Sequence, residues 1–320
     1  MIGSSIRIGA VALIALLTST PQTRTLCDGF LPPNDLKIPI GTMDDKGITK
    51  EQFDKVMDQV ERVYAPIVQA HGGELVVERA WEDSTVNAYA RQSGNKFIIH
   101  MYGGLARHES ITQDGMALVA CHEIGHHIGG FPKKSWASNE GQADYYANLK
   151  CLRRLFADAG SQEFTRMSGS DPIAEKTCAQ SFKEPAEQAA CVRGSMAGYS
   201  VSALFRALRN EDKDPRFDTP DPKVVARTYD AHPGTQCRMD TYYQGSLCAK
   251  AVSEDVSFSD PNKGTCTLSQ GFTSGIRPFC WYKPQASEGA PETATPIGAA
   301  PVEPSAALST LQGPELWRGL

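Results

Sequence analysis

The sequence predicts an α+β fold in which helices pack against a small antiparallel sheet and the C-terminal part contains disulfides. Three observations support this prediction: an amphipathic helix after Thr49, β-rich runs between residues 74 and 103, and nine cysteines spread along the chain. The 320 residues are 41% hydrophobic, which is enough for one large domain or two small ones.

The first helix and the sheet have clear local signals. "TKEQ" at residue 49 is a capping box, and apolar residues follow it at helical spacing as far as Val68. "ELVVERAW" is rich in β-formers. "VNAYARQ" and "KFIIHMY" flank the turn-forming tripeptide "SGN", so they predict a hairpin.

The rest of the chain is predicted to be mainly helical before a turn-rich end. From residue 250 to 283 we expect short strands and turns, and beyond 283 a Pro- and Ala-rich tail without a fixed fold. Helices are predicted at about 112–128, 138–156, 185–209, 221–230 and 234–245.

The N-terminus predicts export. Arg7 precedes an apolar run from Ile8 to Leu17, which is shorter than the roughly 20 residues that span a bilayer. A buried N-terminal helix is the alternative. We therefore expect a periplasmic or secreted protein without an integral membrane segment once the signal is removed. The predicted division is a signal peptide, the main domain, a cysteine-containing extension and a tail, at residues 1–24, 28–250, 251–283 and 284–320.

The cysteines fit an oxidising compartment. Cys121 lies inside a predicted helix and is interpreted as a buried free thiol, which leaves an even set of eight for disulfides. Eight cysteines allow 105 connectivities. Neighbours in sequence suggest three pairs: Cys178 with Cys191, Cys237 with Cys248, and Cys266 with Cys280.

The overall charge excludes one class of partner. The formal net charge is -5 and the isoelectric point is about 5.8, without a basic field for nucleic acid.

The stretch "HEIGH" predicts a metal site. His122 and His126 are four residues apart on a predicted helix, so both imidazoles lie on one face and are able to share a tetrahedral ion. Glu123 follows His122 directly, where a carboxylate that is not a ligand reaches the reacting water. An acidic, solvated helix face that matches the pattern by chance is the alternative.

The next predicted helix supplies the missing carboxylates. Glu140 is the candidate third ligand, and Asp144, one turn later, is placed to accept the N–H of a ligand histidine. Ala143 and Gly141 are small enough for the two helices to approach closely.

"HEIGH" followed by "EGQAD" resembles the gluzincin clan of zinc metallopeptidases, whose pattern is HExxH and a later ExxxD. The sequence is most similar to the HtpX and CAAX prenyl protease type family, as a soluble exported member. "VNAYARQSGNKFIIHMYGGL" upstream and "AHPGTQCRM" downstream also resemble segments of that family. The resemblance implies a helical zinc-metallopeptidase core with one zinc ion per chain.

The resemblance also implies roles for single residues. His122, His126 and Glu140 become zinc ligands, Glu123 the general base and Asp144 the residue that orients a ligand. His232 becomes an oxyanion donor or a removable extra ligand, although a surface helix-capping histidine is the plain alternative. The predicted substrate-binding residues are Asn87, Ala88, Tyr89 and Arg238, and holding the helix of His232 is the alternative role for Arg238. An ordinary, covered strand is the alternative for residues 87–89.

These observations predict an exported zinc endopeptidase. Its substrate would be an extended or unfolded polypeptide, held by strand addition. Two alternatives stay open: a non-catalytic, chaperone-like binding module that zinc stabilises, and a zinc amidase that acts on cell-wall material.

Overall fold

A computed structural model describes residues 29–158 and 170–289. The predicted signal peptide, Cys27 and the tail from residue 290 onward lie outside these ranges. The described chain is a mixture of helices and small sheets, so the predicted α+β class is confirmed.

The three main strands form one mixed sheet. β1 (Glu74–Ala80), β2 (Ala88–Ser93) and β3 (Lys96–Tyr102) are arranged in the order β1-β3-β2. β2 and β3 form the predicted antiparallel hairpin, but β1 runs parallel to β3. The prediction of a purely antiparallel sheet was therefore wrong. Residues 81–87 return the chain across the sheet to the far side of β3, and that return makes β1 parallel to β3.

The helices surround one central helix. α1 (Lys50–Ala70) begins with the predicted capping box at Thr49, and the short α2 (Gly103–Ala106) leads to α3 (Gln113–Ile128). Every residue of α3 is buried, because α1, the sheet, the next helix and the long helix Pro185–Leu208 all pack against it. The site motif therefore lies in the interior of the domain.

A short hairpin connects α3 to the helix that follows. β4 (Lys133–Lys134) and β5 (Ala137–Ser138) are antiparallel, and α4 (Glu140–Tyr146) begins at the cap residue Asn139. The helix continues as a π-helical turn (Ala147–Leu152) and α5 (Arg153–Ala157), which together match the predicted helix 138–156. At Gly125, a β-carbon would lie 3.1 Å from the Ala143 Cα, so α3 and α4 approach closely at that point.

The C-terminal half differs from prediction in two places. α7 (Pro185–Leu208) and α8 (Thr235–Leu247) match, while α6 (Pro172–Ser181) was missed although Asp171 and Pro172 are strong helix-start residues. The helix predicted at 221–230 does not form. Its backbone N–H groups at Val225 and Tyr229 instead donate to carbonyls of Phe279 and Trp281.

The turn-rich end is folded against the rest of the domain. Between 250 and 283 the predicted strands are reduced to one isolated bridge, Cys266 with Ile276, and the short 3₁₀ turn Leu268–Gln270. A second turn, Ala286–Glu288, buries Glu288. The disorder predicted from residue 284 is therefore wrong for residues 284–289, because the buried Glu288 carboxylate pairs with Arg277.

Four disulfides bind these elements together. The predicted pair Cys178–Cys191 is present, but the other bridges are Cys121–Cys151, Cys237–Cys280 and Cys248–Cys266. The prediction that Cys121 is a free thiol was wrong, since α3 and the π-helical turn pack side by side and bring it to Cys151. The two other predicted pairs were wrong. Cys237 and Cys248 lie at opposite ends of α8, too far apart to bond, and each pairs instead with a cysteine of the C-terminal segment, Cys280 and Cys266 respectively. Such bridges fit an oxidising compartment outside the cytoplasm.

None of the helices in the described ranges is long and apolar enough to cross a membrane.

Candidate metal centre

The structure brings the predicted ligands together at the crossing of α3 and α4. The Nε2 atom of His122 lies 3.3 Å from Glu140 Oε2, and that of His126 lies 3.7 Å from Glu140 Oε1. Two ligands held by zinc at about 2.0–2.1 Å in tetrahedral geometry are separated by about 3.3 Å. The observed separations therefore match those of neighbouring ligands around one ion.

Both histidines are held with the same nitrogen facing the site. His122 Nδ1 donates to Asp144 Oδ1 at 2.7 Å, and His126 Nδ1 donates to the Ser138 carbonyl at 2.8 Å. A neutral imidazole that donates through Nδ1 carries its lone pair on Nε2. Each Nε2 atom therefore faces the site with the lone pair that a metal needs once the ring is neutral, and at His122 the metal would displace a proton. The contribution of Ser138 was missed, because a backbone carbonyl leaves no signal in the sequence.

The site contains buried polar atoms that lack hydrogen bonds. Among the residues that the structure describes, these include His122 Nε2, both carboxylate oxygens of Glu123, and Glu140 Oε2. Leaving such groups buried and unsatisfied costs about 1–3 kcal/mol each. A cation bound between them would remove that cost, so the residues present fit a metal ion.

Two carboxylates lie near the histidines, and both are possible ligands. Donor atoms of His122, Glu123 and His126 all lie within 4.8 Å of one another, so this set could hold a metal ion. Glu140 instead contacts both Nε2 atoms from the opposite helix. The two separations of Glu140 also fit one shared ion, so the geometry leaves either glutamate as a candidate third ligand.

Burial and neighbouring charges shift the pKa values of these groups in opposite directions. Burial raises the pKa of Glu123 to about 8 and lowers the pKa of His126 to about 4. Burial also acts to lower the pKa of His122, but the Asp144 and Glu140 carboxylates outweigh it and raise this pKa to about 9. Burial opposes ionisation of Glu140, yet the nearby His126 and His122 hold its pKa well below the usual range.

Asp144 connects His122 to a buried arginine. Its Oδ2 accepts from Arg238 Nε at 2.8 Å and its Oδ1 from Arg238 Nη2 at 2.7 Å. Burial raises the pKa of Asp144, but Arg238 and His122 outweigh it and hold the pKa below its usual value. Asp144 therefore stays charged and fixes the His122 ring, as predicted. Of the two roles predicted for Arg238, its complete burial and its bonds to Asp144 favour the structural one over contact with a substrate.

His232 also reaches the centre. Its Nε2 lies 3.3 Å from Glu140 Oε2 and donates to the Gly29 carbonyl at 2.8 Å. A nitrogen that carries a proton for a carbonyl has no lone pair for a metal. In this arrangement His232 is an N–H donor beside the ion site rather than a fourth ligand. The surface-cap alternative is wrong, because the ring is mostly buried.

The predicted substrate residues divide between two faces of β2. Ala88 is buried, and its carbonyl accepts from Phe30 N at 2.8 Å. The Asn87 side chain accepts from Leu31 N at 2.9 Å. Tyr89 lies on the other face of the sheet, where its ring stacks on His100 at 4.7 Å. Asn87 and Ala88 thus lie along a strand edge near the centre, whereas Tyr89 faces away from it.

Comparisons with known proteins add no assignment. No family model matches the chain, and no curated protein or solved structure is significantly similar to it. The resemblance to HtpX-type metallopeptidases therefore stays a prediction, and we infer function from the geometry of the site.

Proposed function

We propose that this protein is an exported zinc-dependent endopeptidase. One observation carries the proposal: His122, His126 and Glu140 converge from two helices with ligand-like separations, and the buried Glu123 carboxylate beside them makes no hydrogen bond among the described residues. Three protein ligands and an adjacent free carboxylate are typical of catalytic rather than structural zinc sites.

His122, His126 and Glu140 would hold the ion, and zinc is the metal that two imidazoles and one carboxylate favour. When bound, zinc would activate a water molecule and polarise the carbonyl that the water attacks. The chain supplies the rest. Asp144 and the Ser138 carbonyl keep the two rings in the tautomer that leaves Nε2 free for the metal.

Glu123 is proposed as the general base. It lies directly after a ligand on α3, so its carboxylate is within reach of the reacting water without occupying the metal. A bound divalent cation would favour the ionised form of Glu123 despite its raised pKa, so the carboxylate would take the proton of that water and pass it to the leaving amine. Because the group is fully buried, few competing waters surround it, and its interactions with the developing charge are correspondingly strong.

His232 is proposed as the donor for the developing oxyanion. Its Nε2–H faces the centre from the loop before α8, where it now donates to the Gly29 carbonyl. A peptide carbonyl is therefore already an acceptor for this nitrogen. Removing one such donor costs about 10²–10³ in turnover in other hydrolases.

The proposed substrate is an extended polypeptide. β2 is at the edge of its sheet, and the Ala88 carbonyl points away from β3. An unfolded or loop segment would add to this edge as a further strand. The geometry favours a peptide because its backbone supplies repeated donors and acceptors; an amide of cell-wall material would use the same donors and remains the alternative substrate.

One observation favours a non-catalytic zinc protein. The ligand atoms are all buried, and His232 approaches Glu140 as a fourth group would in a closed structural site. A structural zinc site does not need the free carboxylate of Glu123. The two functions therefore differ in whether Glu123 is required for activity.

The test is Glu123→Gln, with the exposed carboxylate variant Glu109→Gln as its control. Loss of a general base typically lowers the rate about 10²–10⁴-fold. We expect that loss in cleavage of an unstructured peptide library by Glu123→Gln, with zinc content unchanged, and wild-type cleavage by Glu109→Gln. Wild-type cleavage by Glu123→Gln, or its loss of zinc, would contradict the assignment.

A further inference from the structure

The outer edge of β2 already holds a peptide segment of the chain itself. Gly29–Leu31 lies beside it, with the backbone bent at Phe30 and Leu31: Phe30 N donates to the Ala88 carbonyl at 2.8 Å. Leu31 N donates to Asn87 Oδ1 at 2.9 Å, and Asn87 Nδ2 donates back to the Leu31 carbonyl at 3.4 Å. The first contact joins two backbone groups, as an added strand does, and the other two use the side-chain amide of Asn87.

The same segment uses the donor proposed for the substrate carbonyl. The Gly29 carbonyl accepts from His232 Nε2 at 2.8 Å, and that nitrogen lies 3.3 Å from Glu140 Oε2. A peptide carbonyl thus lies beside the metal centre and engages its N–H group. While this bond persists, His232 is not available to a second carbonyl.

Side chains anchor the segment next to the centre. The Phe30 ring packs edge-on against His122, with ring centroids 4.9 Å apart, and its carbonyl accepts from Arg238 Nη1 at 3.0 Å. Phe30 and Leu31 are completely buried. Gly29 adopts a positive φ of 114°, and a β-carbon there would lie 2.7 Å from Asn87 Nδ2, so no other residue fits this approach.

We propose that Gly29–Leu31 is a built-in occupant of the peptide-binding edge, which blocks the site until the segment leaves. The inference depends on the proposed function, since it identifies the residues around Asn87 and Ala88 as the place where substrate binds. A substrate peptide would form the same contacts after displacement. The site would then be regulated by competition between its own N-terminal segment and an incoming chain.

A variant of Gly29 separates blocking from ordinary packing. Gly29→Ala strains the segment through both its φ and its contact with Asn87, without removing an apolar side chain. Gly41→Ala is the matched control: it has a positive φ of 71° in the same N-terminal region, but nothing lies within 4 Å of its β-carbon position. Both variants place a β-carbon at a positive φ, the strain being greater at the 114° of Gly29 than at the 71° of Gly41, and only Gly29→Ala disturbs the edge.

The first measurement is binding of a fluorescent peptide with the sequence of residues 28–34, DGFLPPN, to the full-length proteins. A minor open form of about 0.1–10% weakens apparent affinity about 10- to 1,000-fold. We expect Gly29→Ala to bind the peptide more tightly than wild type by such a factor, and Gly41→Ala to match wild type. Equal affinity of wild type and Gly29→Ala, or binding by neither, would overturn the proposal.

Hydrogen exchange on the wild-type protein provides a test that needs no variant to fold. If the segment leaves by itself, the Phe30 amide exchanges faster than the central amides of α3, such as Val119. Exchange of both at one rate, through global unfolding, would overturn the proposal. Cleavage assays on the same samples test the proposed function separately. If the samples bind the peptide and none hydrolyses it, the peptidase proposal is wrong while the proposal of a blocking segment still holds.

Discussion

Two buried polar clusters lie on opposite sides of α4, and they differ in how far their atoms are satisfied. In the first, Arg277 donates to Gln142 Oε1 at 2.8 Å and to Glu288 Oε1 at 2.9 Å, while Tyr282 OH and the Gln285 N–H donate to Glu288 Oε2. In the second, around His122 and Glu140, buried nitrogen and oxygen atoms lack hydrogen bonds. Burial is nearly complete in both.

The difference indicates what each cluster does. A buried charge pair with its hydrogen bonds complete needs nothing further and holds the C-terminal turns against α4. A buried cluster whose polar atoms lack hydrogen bonds needs a bound ligand or ion to satisfy them. Otherwise the fold bears the energetic cost because the cluster has a function. We therefore assign structure to the Arg277 cluster and metal binding to the His122 cluster.

The largest expected effect is on stability, from Arg277→Met. Removing one member of a buried ion pair leaves the Glu288 carboxylate uncompensated and typically costs about 3–5 kcal/mol. Chemical denaturation should show this loss, with zinc still bound at one per chain in the folded protein. The double variant Arg277→Met/Glu288→Gln should recover part of the stability because no lone charge remains. If the single variant loses less than about 1 kcal/mol of unfolding free energy, the structural role assigned to the Arg277 cluster is wrong.

The second expected effect is on metal affinity, from Asp144→Asn. Weakening the group that orients a ligand histidine typically lowers affinity about 10- to 100-fold. Asp144→Ala would be a poorer test, since it would leave Arg238 buried without its partner. Asp114→Asn is the control, because Asp114 also binds an arginine, Arg193, with both oxygens, but at the other end of α3. Competition with a chromophoric chelator measures both affinities; equal values would contradict the assignment of Asp144.

The smallest expected effect is a pH dependence away from both clusters. Burial raises the pKa of Asp240 to about 7, from an ordinary value of 3.8. Between these values the folded state keeps a proton that the unfolded state releases, so this group makes the protein less stable as pH rises from about 4 to about 7. Asp240→Asn should reduce the fall in melting temperature across that range by a few degrees. An unchanged pH dependence would show that Asp240 is ionised in the fold.

The sequence was sufficient for local features of the site and insufficient for long-range ones. His122, His126, Glu140 and Asp144 are spaced within two helices, and helical periodicity alone places them on the correct faces. The hairpin of β2 and β3 was predictable because a local turn sets its register. These features depend on neighbours in the sequence.

The features that were missed depend on packing between distant segments. The bridge Cys237–Cys280 and the burial of Arg238 against Asp144 join residues 43 and 94 positions apart, and no local pattern encodes them. The helix predicted at 221–230 does not form because its backbone N–H groups bond to a segment some 50 residues later. The approach of Gly29–Leu31 to the centre spans about 200 residues to His232 and had no signal beyond a glycine before two apolar residues.

The most direct test of the central claim is zinc binding by the purified protein. We expect about one zinc per chain by elemental analysis, as in other mononuclear sites, and a melting temperature that rises with added zinc because the metal binds only the folded state. His122→Ala should abolish both effects. A stoichiometry near zero after zinc reconstitution, with no change in melting temperature, would contradict the claim that the unsatisfied cluster of α3 and α4 is a metal centre.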